Sequence, residues 1–246
     1  MVGMADFTYM TGLAQNFYAG ALGALPISHA GIPGSINVIR GQQLENTFVT
    51  RSNVTDVNVG SGSHREENNF LLYAGHGGKG SLFLGLGGSY GYILPDDLKL
   101  GAANTASGSS QAGAGAVRWF WANSCSAFDT PGSGALYWSP AFRGLKAMLG
   151  FGSITSDFSG SLNMFQEFWY DWTHAGYSLG FAFAESQRRY EEATHKGVII
   201  ACLSAPPNGG KNDYCRESFQ DVDMNKAENG AAVTHVYVVG TPVYEQ

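Results

Sequence analysis

Charge is scarce in this 246-residue chain: Asp, Glu, Lys and Arg make up 14% of it, where about 25% is usual. Fourteen basic residues face 20 acidic ones, for a formal net charge of −6. They form no basic run, which excludes a general phosphate-neutralising surface and with it a nucleic-acid partner. Cysteine is scarce too. Three thiols do not make the disulfide framework of a small secreted domain. The apolar N-terminal part has no basic residue ahead of it, so a secretory signal is not expected and a cytoplasmic setting is. No uninterrupted apolar stretch reaches the ~18 residues of a spanning helix, so no membrane partner is expected. The histidines at 29, 64, 174, 195 and 235 have no Cys or acid at metal-ligand spacing, so neither metal nor cofactor is expected.

Glycine is abundant: 34 residues, roughly twice the usual share of about 7%. Hydrophobic residues at 44% and aromatics at 13% are enough for a real core in one domain, residues 1–246, of which 1–65 read least clearly. Continuous apolar runs at Asn69–Ala74, Ala116–Ala122, Leu149–Thr155, Gly197–Leu203 and Thr234–Val239 suit strands buried on both faces of a parallel sheet. Shorter extended segments are expected at Asp6–Met10, Ile36–Arg40 and Thr47–Thr50. Helical spacing is read at Thr11–Leu25, Ser139–Met148, Ser161–Thr173 and Leu179–His195, the last stopped by Gly197. Strands alternating with helices predict an α/β fold with a mainly parallel central sheet. Gly75–Gly91 and Gly101–Gly115 read as glycine-rich surface loops or as a lid beside the site.

Two of the buried runs end in reactive residues. The first leads into Gly75-His76-Gly77-Gly78, the second into Asn123-Ser124-Cys125-Ser126. Ligands of open parallel sheets bind beyond the carboxyl ends of the strands, so neighbouring strands would bring His76 and Cys125 together. A thiol is a strong nucleophile only as thiolate, and an imidazole can take its proton and return it to a leaving group. Backbone N–H groups at sharp glycine-rich strand ends can bind the developing oxyanion. Gly75, Gly77, the Cys125 N–H, Asn123, Ser124 and Asp157 are the candidates around the pair, with Asp129 and Asp171 as alternative acids. Cys202 reads as core.

An apolar strand ending in His-Gly, and a second ending in small-residue-Cys 49 positions later, resembles the caspase-like cysteine peptidase clan of caspases, legumains, gingipains, clostripain, separases and bacterial CHAT proteases. The similarity continues through Gly144–Thr155, the aromatic segment around Phe165–Trp169, Gly176–Ala182 and Val238–Pro242, covering roughly residues 66–243. The Tyr73-Ala-Gly-His-Gly77 run is also similar to a bacterial group with a Tyr-x-Gly-His-Gly signature. The resemblance implies a three-layer α/β/α sandwich, a Cys125 nucleophile and a His76 base. The position two before the nucleophile, which in that clan helps shape the substrate pocket, is the neutral Asn123, and Ala127 stands where caspases carry glycine.

The expected function is cysteine-dependent acyl transfer through a Cys125–His76 dyad, with hydrolysis of a peptide or amide bond first. The alternatives are release or cyclisation of a hydrophobic acyl (thio)ester and an inactive caspase-like binding module. Leu82, Phe83, Leu84 and Leu86 would line the site for an apolar acyl group.

Overall fold

In a computed structural model of the chain, the described residues are 2–8, 38–45, 69–84, 91–104, 110–112, 117–129, 137–153, 161–190, 197–204, 212–213, 215–219 and 233–239. Their strands are β1 (Val2–Thr8), β2 (Val38–Glu45), β3 (Phe70–Ala74), β4 (Gly77–Gly78), β5 (Ser81–Leu84), β6 (Gly91–Ile93), β7 (Ala102–Asn104), β8 (Ser110–Ala112), β9 (Trp119–Asn123), β10 (Ala147–Phe151), β11 (Gly197–Ser204), β12 (Asn212–Asp213) and β13 (Val233–Val239). Helices α1 (Ser161–Thr173) and α2 (Leu179–Tyr190) lie between β10 and β11 in the chain.

The main sheet runs β2-β1-β3-β9-β10-β11, with β12 and β13 both paired to β11. Its first five strands are mutually parallel, and β11 joins antiparallel. The fold is α/β, as the alternation of apolar runs and helical spacing predicts. Phe70, Leu71, Leu72 and Tyr73 are wholly buried, as is every residue from Phe120 to Ala122, which is why these strands read as unbroken apolar runs rather than alternating ones.

Parity along the strands separates the two faces. Phe70, Trp119 and Trp121 point to the helical side, where Phe70 meets Trp169 at 5.0 Å, Trp119 meets Trp172 at 5.4 Å, and Trp121 meets Phe165, Phe168 and Phe183 at 5.0–5.2 Å. Most of these pairs are edge-to-face, the arrangement that ring quadrupoles favour. Trp172 sits near the amino end of β9, so α1 descends from the carboxyl edge of the sheet to its opposite edge. Phe151 and Trp121 both touch Phe183, so α2 covers the same face.

The helix expected at Ser139–Met148 is not there. Ser139–Ala141 forms a single 3-10 turn, and the chain then crosses under Gly101. Gly144 has φ +148° and Gly101 φ +85°, and a β-carbon on either would come within 2.6 Å of the other's backbone. That crossing ends any helix, and Lys146 N–H donates to the Arg118 carbonyl at 2.7 Å to open β10. Met148 is therefore a buried strand residue. The glycine-rich stretch after Leu100 contains the β7–β8 hairpin rather than loop alone. The expected elements at Thr11–Leu25 and Thr47–Thr50 lie outside the described residues. Among the described residues no helix is long and apolar enough to cross a membrane.

Candidate active site

Neighbouring strands β3 and β9 set the site. Their parallel register pairs Phe70 with Trp119 and ends on the rung Ala74–Asn123. Gly75 N–H extends the ladder by one step, donating to the Asn123 carbonyl at 3.2 Å. His76 and Cys125 are thus each two residues beyond the same rung, at the carboxyl edge, on strands that such ladders hold about 4.8 Å apart. His76 is exposed and Cys125 half-buried, so both are within reach of solvent.

The local sequence explains how His76 is held. The Tyr73 hydroxyl donates to the Phe83 carbonyl and also lies 3.1 Å from the His76 carbonyl. The Tyr73 ring curls back over Gly75, where a β-carbon would come within 2.7 Å of the hydroxyl oxygen. Gly77 has a different neighbour. A β-carbon there would overlap the Ser124 hydroxyl and lie 3.1 Å from the Cys125 carbonyl oxygen. Glycine at 77 lets the chain after His76 touch the chain carrying Cys125. The tyrosine and both glycines of Tyr-x-Gly-His-Gly thereby have a steric or hydrogen-bonding reason.

Beyond His76 the chain turns into a hairpin. Gly77 pairs with Leu82 and Gly78 with Ser81, around Gly80 at φ +73°. Phe83 N–H donates to the His76 carbonyl at 2.9 Å. Antiparallel pairs alternate between bonded and non-bonded, so Gly77 and Leu82 are a non-bonded pair and the Gly77 N–H points away from β5.

The residues before Cys125 are deeply buried. Asn123 is 1% exposed and Ser124 wholly buried. Neither the Asn123 amide nor the Ser124 hydroxyl finds a hydrogen-bond partner among the described residues, an arrangement that costs about 1–3 kcal/mol per group. After Cys125 the backbone turns sharply. Ser126 takes φ +50°, a strained value for a non-glycine residue, and is held there by its N–H to the Ser153 carbonyl at 2.7 Å and by Phe128 N–H to the Phe151 carbonyl at 2.9 Å.

Other predicted residues separate from this edge. Asp129 is exposed four positions beyond the thiol. Asp171 lies on α1 beside Trp172, toward the opposite edge of the sheet, so it does not serve the site. Asp157 and Leu86 lie outside the described residues. Leu82 is wholly buried and faces the core instead of the site. Cys215 is a buried thiol packed against Gly180. The contribution of the Tyr73 hydroxyl had only one signal in the sequence, its place at the head of the glycine motif. Among the described residues no group of three His, Cys, Asp or Glu could hold a metal ion.

The family described as "Domain of unknown function (DUF6345)" matches the chain over residues 39–238, a span that runs from the second residue of β2 to the penultimate residue of β13 and includes both reactive residues. No curated protein matches it.

Proposed function

We propose, for a chain that belongs to the DUF6345 family, cysteine-dependent acyl transfer with Cys125 as nucleophile and His76 as general base and acid. One observation carries the reading: the two residues follow the same terminal rung of adjacent parallel strands, where substrates of such sheets bind. The order of parallel strands β2-β1-β3-β9-β10 with α1 and α2 on one face also supports the caspase-like sandwich. A reducing cytoplasm would keep the thiol in its working state.

In the reaction, Cys125 Sγ loses its proton to the His76 imidazole and attacks the substrate carbonyl carbon. The Gly77 N–H, turned away from its hairpin partner, is available to the oxyanion. The tetrahedral intermediate collapses to a thioester as the C–N or C–O bond breaks, and His76 returns its proton to the leaving nitrogen or oxygen. Water, deprotonated by His76, then releases the acid and restores the thiol. A peptide or amide is the first substrate class. An acceptor within the substrate would instead close a ring, and product mass separates the two because only hydrolysis adds water.

The test is acylation by a panel of activated esters and amides, followed by intact mass and peptide mapping. The expected adduct is on Cys125, with His76→Ala slowing its formation by about 10²–10⁴-fold at an unchanged melting temperature. An adduct on Cys215 instead, or an undiminished rate in His76→Ala, would overturn the reading.

A further inference from the structure

The hairpin after His76 carries a row of rings. Phe83 N–H binds the His76 carbonyl, which places Phe83 directly across from His76, one step beyond the Gly77–Leu82 pair. Phe83 in turn pairs with Tyr92 on β6. Directly paired residues share a face of the sheet, so the register assigns His76, Phe83 and Tyr92 to one face of this hairpin region. The other face holds Leu82 and Ile93, both wholly buried. The first face is partly open: Ser81 is buried and Phe83 half-buried, while Tyr92 is 50% exposed and Leu94, two positions on, 46%.

The rings are ordered rather than scattered. Phe83 and Tyr92 meet edge to face at 5.0 Å. The Phe83 ring lies over Gly78, where a β-carbon would come within 2.9 Å of it. Glycine at 78 therefore leaves room for the tip of the Phe83 ring over β4, two residues beyond His76. Exposing this much aromatic surface beside a reactive residue has a cost in water that binding an apolar group removes.

We infer that Phe83, Tyr92 and Leu94 form a subsite for an apolar, ring-bearing leaving group. The inference rests on the acyl-transfer reading above, because His76 fixes the direction. The leaving nitrogen or oxygen takes its proton from the imidazole as the bond to the acyl carbon breaks, so it departs on the His76 side. The group attached to it then lies along the row that starts at His76. The acyl portion stays on Cys125. The substrate class is an ester or amide whose amine or alcohol portion bears an aromatic or bulky apolar group.

The test uses the full chain and two esters of one acyl group, a methyl and a benzyl ester, whose alcohols have nearly equal acidity. The readout is the ratio of second-order acylation rates at Cys125, followed by intact mass. The expected ratio favours benzyl by about tenfold or more, the range that apolar pockets discriminate. It falls toward one in Phe83→Ala and in Tyr92→Ser, the second removing a half-exposed ring and sparing the fold if the first does not. A wild-type ratio near one, with acylation readily measured, overturns the subsite and leaves the dyad standing. A high ratio that survives both substitutions also overturns it. Acylation by neither ester removes the dyad reading and the subsite with it.

Discussion

Gly77 shows how much of the site depends on one missing methyl group. Its contact with the Ser124 hydroxyl sets how closely the His76 chain approaches the Cys125 chain. Gly77→Ala is expected to lower Cys125 acylation by about 10²-fold, the effect of misplacing a catalytic group by roughly 1 Å. Adding Ser124→Ala removes the obstructing oxygen, and the double variant should recover most of the rate. Stopped assays and melting curves on both variants check this, and a wild-type rate in Gly77→Ala would contradict it. Asn123 raises a separate expectation. Its buried amide can donate and accept hydrogen bonds but cannot neutralise a guanidinium, and an unpaired cation in a cleft is costly. Uncharged acyl groups should therefore be preferred. A panel differing only in that residue decides, and a preference above about a hundredfold for Arg or Lys, beyond what apolar discrimination supplies, would point to an acid nearby. At this scale His76, Cys125 and the glycines around them were legible in the sequence, because strand-end reactive residues interrupt apolar runs. The roles of Tyr73 and Ser124 were not, because the Tyr73 hydroxyl bonds carbonyls that the hairpin brings to it and Ser124 meets Gly77 only through the pairing of the two strands.

Among the elements, α2 is the clearest case of local sequence logic. Ser178 precedes it, and its hydroxyl accepts the Phe181 N–H at 3.2 Å. Leu179 and Gly180 donate to the Glu217 and Cys215 carbonyls at 3.1 and 2.8 Å. Three of the orphan donors at the helix start are thus satisfied. Arg188 and Arg189 in its last turn suit the negative end of the helix dipole. Ser178→Ala is expected to cost about 1 kcal/mol, read as a lower urea midpoint with an unchanged slope. The helix at Ser161–Thr173 and the strands at Phe70–Ala74 and Gly197–Ser204 followed from periodicity and apolar runs. The segment Ser139–Met148 did not, because its helical spacing is overruled by the backbone crossing of Gly144 on Gly101.

Across the whole molecule, stability should carry a pH signature from the α1–α2 pair. Burial, ahead of repulsion from Glu167, raises the Asp171 carboxyl above its ordinary value of 3.8, while Arg189 pulls it down. A raised carboxyl holds its proton more tightly in the folded chain than in the unfolded one. Its destabilising effect is absent below the ordinary value, grows as pH rises through the folded value and is full above it. Asp171→Asn should therefore melt higher than the wild type at pH 7, with the difference shrinking at pH 3. A gap of equal size at both pH values would assign the change to packing. Glu185 works the other way: its hydrogen bond to Arg188 lowers it, so its contribution is present at neutral pH and is lost as pH falls.

By itself the sequence determined the α/β class, the buried strands and the two reactive residues at strand ends. These follow from local physics: apolar runs need two covered faces, and glycine marks sharp turns. Only the tertiary structure decided that β3 and β9 are neighbours in register, so that His76 and Cys125 follow one rung. Strand order is set by which faces and edges find partners across the molecule, and residues 76 and 125 are joined by no pattern shorter than that pairing. The same holds for Asp171, which the direction of α1 carries away from the site.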